Sequence, residues 1–427
     1  MKRYLLPVVL LSLCLAPAVL SQNINGRFSS SLYSFERFDS TDVSATHLRS
    51  FQMLFLNVNQ GDVSLRSYLN LENDFSEELT YDPRFRFYNL YLEARNIFDI
   101  ATVKLGRQPI FNSVAGGLFD GITLDLKKNN YKFTAYYGGN VPAYQKFELT
   151  KNWSDDYILG GRFVTDVVED FQFGLSYVKK NFYQQPYTAT RLDAELNPIQ
   201  VLIENASNQY QFASVDLHYV LENVIRIDSK FDYDINFMQA SKFEIESRYS
   251  EIKDLGLSVY YNYREPKIRY NSIFSVFDYG SSQELEIGAD YRIDGNFTVL
   301  AKFGNVEYKD DNSQRLTAGI ITGWGTLNYR KTFGYAGELD AVSLYTARSF
   351  LDGLLTPSIG ASYTNYKLSE DQESNDLTTI LGGVNIRPFR ILSFDLQGQY
   401  MNNKIYKDDL RFFFKINYWF NTNLNSM

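Results

Sequence analysis

The sequence predicts an all-β chain folded as a single closed antiparallel transmembrane β-barrel of about 18–22 strands. Three observations predict it. Apolar and polar residues alternate along one segment after another, which gives each segment a greasy face and a wet face. Many of these segments run to about ten residues, the length a tilted strand needs to cross a bilayer. Tight turns alternate with longer polar connections, as they do when one end of a barrel faces the periplasm and the other the medium.

In chain order the first element is a leader. Lys2 and Arg3 precede an apolar run from Leu5 to Leu20, and Ala18-Val19-Leu20-Ser21 supplies small residues for cleavage before Gln22. Residues 1–21 are therefore expected to be a secretory signal peptide and residues 22–427 the barrel. The run is short for a spanning helix, which needs roughly 20 apolar residues. Cys14 lies deep inside it behind the bulky Leu13, which does not suit lipoprotein processing. It is the only cysteine, so the exported chain is expected to fold without disulfides. Losing Lys2 and Arg3 takes the basic count from 42 to 40 against 50 acids, and the formal charge from −8 to −10. An acidic chain of this kind is a poor partner for nucleic acid. No second stretch of spanning-helix length follows, and no Ser/Gly-rich or Pro-rich linker divides the 427 residues.

The strands then follow. Val63, Leu65, Leu69 and Leu71 oppose Ser64, Arg66, Asn70 and Glu72, and Leu285, Ile287, Ala289 and Tyr291 oppose Glu286, Asp290 and Arg292. Near the C-terminus, Leu410, Phe412, Phe414, Ile416, Tyr418 and Phe420 oppose Arg411, Lys415 and Asn417. The chain holds 33 Tyr and 33 Phe, and many sit near segment ends, where amphipathic rings suit a membrane boundary. Tight turns are expected near Asn59-Gln60-Gly61, Asn96-Ile97, Asn129-Asn130, Glu169-Asp170, Glu222-Asn223, Lys253-Asp254, Asp294-Gly295, Gly325-Thr326, Asp352-Gly353 and Pro388-Phe389. Long connections are expected over Phe35 to Ala45, Asn73 to Pro83, Gly138 to Asp155, Asn181 to Asn208 and Glu265 to Ser281. Segments counted between the turns number about 22, and merging the weak ones at Leu377 to Ile386 or Leu316 to Ile320 brings the count toward roughly 18. A β-sandwich would use shorter strands, and a solenoid would show a fixed repeat, which is absent.

If lipid covers the outer wall, function lies on the inner one. Ile225, Ile227, Phe231 and Tyr233 oppose Arg226, Asp228, Lys230 and Asp232, and the next segment sets Phe243, Ile245 and Tyr249 against Lys242, Glu244, Glu246 and Arg248. One antiparallel register places Lys230 opposite Glu246, Asp228 opposite Arg248 and Asp234 opposite Lys242, and leaves Asp232 facing Glu244. Asp216 and His218 extend the patch. It reads either as an ion-pair network stiffening a wet wall or as a charged constriction whose mixed signs orient dipolar solutes such as sugars.

The second feature is "LGRQPIFNSVAGGLFDGITLDL", Leu105 to Leu126. A strand is expected to end at Gly106, a loop to carry Arg107 and Gln108, and a strand to resume at Asp120-Gly121-Ile122, with Gly116 and Gly117 allowing a sharp or inward bend. This pairing of Gly-Arg-Gln with Asp-Gly resembles the porin and alginate-export-like barrels of Gram-negative outer membranes. That resemblance implies pore roles for Arg107 and Asp120, and a passive path for small hydrophilic solutes. The alternative is a Gly-rich hairpin with a local Arg–Asp pair. Basic runs like those of alginate-export channels are not evident. The terminal Tyr418-Trp419-Phe420 resembles the aromatic signal read by the outer-membrane insertion machinery, followed here by a short tail, Asn421 to Met427.

Other classes fit less well. Beyond the leader, the histidines are His47 and His218, and no nucleophile has a motif around it, so a barrel-based enzyme is not expected and no catalytic residue is assigned. The first strand begins near Ile24, which leaves no room for a plug ahead of the barrel. At a high strand count, Asn73 to Pro83 or Leu105 to Leu118 must then fold inward. The acid pairs Asp155-Asp156 and Asp310-Asp311 read as solvated loop surface, and neither cofactor nor metal is expected. The expected partners are outer-membrane lipid and lipopolysaccharide, the insertion machinery and small hydrophilic solutes. A homotrimer and a non-conducting adhesive or structural barrel stay open.

Overall fold

The structure is a computed structural model. It describes residues 22–40, 43–77, 79, 83–111, 114, 116–141, 149–151, 153–182, 186–192, 195–203, 209–222, 224–268, 270, 280–309, 311–334, 338–367, 372–404 and 407–424. The leader expected over residues 1–21 lies outside them, as do Asn223 and Asp310.

The strands begin with β1 (Gln22–Ser40), β2 (Val43–Gln60), β3 (Val63–Asp74), β4 (Arg84–Ile97), β5 (Ala101–Phe111), β6 (Gly116–Lys128), β7 (Tyr131–Asn140) and β8 (Tyr157–Thr165). Next come β9 (Phe171–Lys180), β10 (Tyr187–Leu192), β11 (Pro198–Ile203), β12 (Tyr210–Leu221), β13 (Ile225–Asp234), β14 (Gln239–Tyr249), β15 (Leu255–Arg264) and β16 (Ser282–Asp294). The chain ends with β17 (Phe297–Tyr308), β18 (Asp311–Thr322), β19 (Gly325–Phe333), β20 (Glu338–Ala347), β21 (Leu355–Tyr366), β22 (Asn375–Phe389), β23 (Leu392–Asn402) and β24 (Asp409–Leu424).

Twenty-two of these strands form one antiparallel sheet in which chain neighbours pair. β9 passes directly to β12, while β10 and β11 make a separate hairpin inside that connection. β24 returns to β1 from Gln22↔Leu424 to Ser34↔Phe412, and this pairing closes the ring. The count is the upper end of the expected range. Both segments that could have merged, at Leu316 to Ile320 and Leu377 to Ile386, are paired on both sides in β18 and β22.

Burial is inverted relative to a protein with a packed core. On β24, Phe412 is 55% exposed while Asn417 is 5% exposed. The outward row of Leu410, Phe412, Phe414 and Tyr418 is matched around the ring by Leu105, Leu159, Ile287, Leu344 and Leu396, all exposed. Inside lie Ser29, Asn70, Glu72, Asp232 and Asn262, all buried. Closing the ring pairs the strand backbones with one another, which is what lets the outward face meet hydrocarbon. At the closing seam the Ser29 hydroxyl donates to Asn417 Oδ1 (2.7 Å), and the Asn417 amide donates to Ser393 Oγ (3.2 Å) and Asp395 Oδ2 (3.0 Å). Below it, the amides of Asn23, Asn25, Asn57, Asn59 and Asn421 pass hydrogen bonds along an uncharged ladder.

The expected tight turns all lie at the end where both termini meet. Asn96, Asn129, Asp170 and Asp254 take φ of 56°, 51°, 65° and 62° there. Tight hairpin turns need left-handed residues, and a short polar side chain tolerates that region best after glycine. One expected loop is absent. Phe35 to Ala45 is mostly paired strand, with Phe35↔His47 and Arg37↔Ala45 in register, so β1 and β2 project as a long hairpin.

Phe414→Arg should cost about 2–4 kcal/mol, because it puts a charge on the lipid face. Phe413→Arg, one residue away on the wet face, should cost much less. Urea midpoints of the two variants, followed by heat-modifiable gel mobility in lipid vesicles, check the contrast.

Candidate functional site

The inner wall of β12 to β14 carries most of the charged residues singled out from the sequence. Asp216, His218, Asp228, Lys230, Glu244 and Glu246 line one recess of about 400 Å³. The register differs by two residues from the expected one. Arg226 faces Arg248, Asp228 faces Glu246, Lys230 faces Glu244 and Asp232 faces Lys242. The turn after β13 is the cause. Asp234 Oδ1 accepts the N–H groups of Asn236 and Phe237 (3.0 and 3.2 Å), which fixes a tight turn, and a bulge beside Asp232 absorbs one residue of β14.

Two like-charged pairs therefore stand opposite each other, and several ion pairs run along a strand instead of across to the next. Arg226 reaches Asp228 (2.7 Å), Lys230 reaches Asp232 (3.6 Å) and Lys242 reaches Glu244 (2.9 Å). Asp228 also takes His218 at 2.5 Å. Arg248 turns to Asp290 on β16 (2.8 Å), and Asp216 to Arg162 on β8 (2.8 Å).

Arg107 and Asp120 are brought together, but away from the pore. Arg107 lies within β5, not in a loop, and stands directly opposite Asp120 on β6. Both alternate in step with Leu105 and Ile122, which are 57% and 45% exposed on the lipid side. The guanidinium holds the carboxylate through Nε–Oδ1 at 2.8 Å and Nη2–Oδ2 at 2.9 Å. On this outer side the pair is met by the described part of the β7–β8 connection, where the Thr150 N–H donates to Asp120 Oδ2 (2.8 Å). Trp153 packs edge-on to Tyr137 (6.1 Å). A Cβ on Gly139 would sit 2.3 Å from Thr150 Oγ1, so this close approach requires glycine. In the same shoulder, burial pushes the Asp156 carboxyl up, against the Asn140 amide that donates to it (3.1 Å). Of the Gly-Arg-Gln run only Gln108 faces inward, where it donates to the Gly121 carbonyl (2.9 Å).

Two inner features were not singled out from the sequence. The first is a basic arc on β2 to β4. Arg49, Arg84 and Arg86 surround Glu72 at 3.8, 3.6 and 3.5 Å. Arg49 also binds Asp74 (2.7 Å), which takes His47 at 3.3 Å, while Arg66 and Arg95 share Glu93 (3.5 and 3.6 Å). These contacts hold five guanidiniums against three carboxylates. His47 stacks on Phe35 (5.3 Å), and Arg49 lies over the same ring. The signal was the run Arg84-Phe85-Arg86-Phe87, whose alternation assigns both arginines to one face.

The second is a meeting of two loops inside the ring. Lys267, just beyond β15, places Nζ 3.5 Å from Asp232 Oδ2, 3.5 Å from the Val114 carbonyl and 5.0 Å from the Phe212 ring. Six strands lie between β6 and β15 around the wall. Val114 lies between β5 and β6 and joins a buried apolar cluster with Ile110, Phe119, Tyr136, Ile158, Val178 and Phe212. It is part of the Leu105 to Leu118 stretch expected to fold inward.

These features define a transmembrane β-barrel with a charged, loop-narrowed lumen. No family model matches the chain, and no curated protein is similar to it in sequence. Among solved structures it resembles a BenF-like porin from Pseudomonas fluorescens (10% identity, TM-score 0.45, covering 94% of this chain and 99% of that one). It also resembles OccK1 (OpdK) of Pseudomonas aeruginosa (9%, 0.44, 94% and 99%) and OccAB3 of Acinetobacter baumannii (11%, 0.42, 93% and 99%).

Asp120→Ala leaves a buried guanidinium without its carboxylate and should cost about 3–5 kcal/mol. Single-channel conductance of the folded variant should be unchanged, because the pair lies outside the lumen. A lowered urea midpoint with unaltered conductance checks both halves.

Proposed function

We propose that the chain is an outer-membrane channel for the passive diffusion or export of small hydrophilic solutes. The observation that carries this reading is the closed ring with its charges turned inward. A lumen lined by ion pairs stays wet, and a wet lumen conducts. The basic arc on β2 to β4 lies half of the 22-strand circumference from β16, where Glu284 and Glu286 share Arg315 (2.5 and 3.0 Å) and Glu286 also takes Lys302 (2.9 Å). A surplus of guanidinium on one side, facing balanced pairs on the other, makes a field across the channel. Such a field orients dipolar solutes more than it filters one sign of ion.

Asp216, Arg226, Asp228, Lys230, Asp232, Lys242, Glu244, Glu246 and Arg248 are the selectivity candidates on one wall, joined now by Arg49, Arg84 and Arg86 on the other. Arg107 and Asp120 leave the set. Residues 1–21 would direct export, and the C-terminal strand would engage the insertion machinery. Lipopolysaccharide and phospholipid would cover the outward face. The contact of Lys267 with Val114 and Asp232 favours a second reading, a barrel held shut with an adhesive or structural role.

In planar bilayers the purified protein should show discrete channel steps. Their absence in a well-folded sample would favour the second reading. Asp228→Asn with Glu246→Gln should move the reversal potential toward anion preference, and Arg84→Gln with Arg86→Gln should move it the opposite way. If neither pair of changes shifts it, these walls do not line the narrow part. Lys267→Ala should raise single-channel conductance by loosening the loop contact.

A further inference from the structure

On the outside, the apolar belt ends at the terminus-bearing rim in an arginine laid on a tryptophan. Leu327 on β19 pairs with Leu344 on β20, and both are exposed, as is Ile359 on β21. Two and four residues beyond Leu344, the same face carries Thr346 and then Arg348. Trp324, in the turn between β18 and β19, is 66% exposed. The Thr346 hydroxyl donates to its carbonyl oxygen. Arg348 Cζ lies 3.9 Å from the Trp324 ring centroid and 5.9 Å from that of Phe350.

Two other outward cations have a carboxylate: Arg107 has Asp120, and Lys331 has Asp340 (2.9 Å). Among the described residues Arg348 makes no ion pair. A guanidinium whose face is spent on an indole still offers its N–H edge, and that edge matches a phosphate. A barrel with its short turns in the periplasm has this rim at the inner leaflet, at the level where interfacial tryptophans sit.

We propose that Trp324 and Arg348, flanked by Phe350, form a site for the phosphate of an inner-leaflet phospholipid. Its acyl chains would lie along Leu344, Leu327 and Ile359. The inference rests on the outward face lying in lipid, not on what the lumen conducts.

The chain has three tryptophans, Trp153, Trp324 and Trp419, so Trp153→Phe with Trp419→Phe leaves Trp324 as the only indole reporter. The folded double variant in detergent is titrated with phosphatidylglycerol, with diacylglycerol of the same chains and with inorganic phosphate. A saturable change in Trp324 emission is expected with phosphatidylglycerol only. Arg348→Gln should weaken it about tenfold, the value of one charge-assisted contact. An equal response to diacylglycerol, saturation by inorganic phosphate, or an unchanged Arg348→Gln titration would overturn the site. If Arg348→Gln folds poorly, the contrast between phosphatidylglycerol and diacylglycerol decides alone. Retained channel conductance in Arg348→Gln separates failure of this site from failure of the barrel.

Discussion

The constraint on which this structure depends is that no backbone N–H or C=O can stand unpaired in hydrocarbon. An open sheet has two edges that fail this test. Pairing β24 with β1 removes both, and the rest follows. Once the sheet is closed, every strand has one face toward lipid and one toward the lumen, so the period-two pattern has to persist around the ring. It also forces the polar seam inward. Ser29, Asn417, Ser393 and Asp395 satisfy one another there, at the point where the first and last strands of the chain meet.

Closure also explains why so much of the fold was legible in the sequence. A strand with one face in lipid has only one acceptable phase, since a slip of one residue exchanges its whole apolar set for its polar set. Leu410 to Phe420 and Leu285 to Tyr291 therefore declare their faces without reference to any partner. The tight turns were legible for a separate reason. Asn96, Asn129, Asp170 and Asp254 sit where the backbone must go left-handed, and few residues accept that region. Register was not legible in the same way. A slip of two residues keeps every face correct, so the alternation is blind to it. Between β13 and β14 the choice is made by the turn at Asp234 and the bulge beside Asp232, which the hydrophobic pattern does not encode.

The site was legible in part, and the errors have local causes. The resemblance of Gly-Arg-Gln to channel-facing segments implies a pore role for Arg107, but its strand continues past Gly106 in step with Leu105, and that phase turns Arg107 outward. The alternation of Arg84-Phe85-Arg86-Phe87 marks the basic arc locally, but a bulge between β3 and β4 shifts the phase within the strand, so the run does not extend in step to Asn89 and Tyr91. Arg84 and Arg86 face inward on one side of the bulge, and Asn89 and Tyr91 on the other. The inward tip at Val114 could be anticipated from ring size alone, since a barrel of this strand number is too wide to stay unfilled. Its contact with Lys267 could not, because the two residues are 153 positions apart.

The two sides of the wall treat charge differently, and that difference separates stability from selectivity. Outside, the Arg107–Asp120 pair is bidentate and buried beneath Thr150 of the β7–β8 connection, in a setting where losing one partner is costly. Inside, Arg226 and Asp228 are 63% and 36% exposed, and a pair so well hydrated contributes no more than about 1 kcal/mol. The ladder and the lipid face hold the barrel whether or not such a pair is present. Hydrated lumen charges such as Arg226 and Asp228 are therefore ones the fold needs little, while the buried carboxylates Asp74 and Asp232 on the same inner face need their cations.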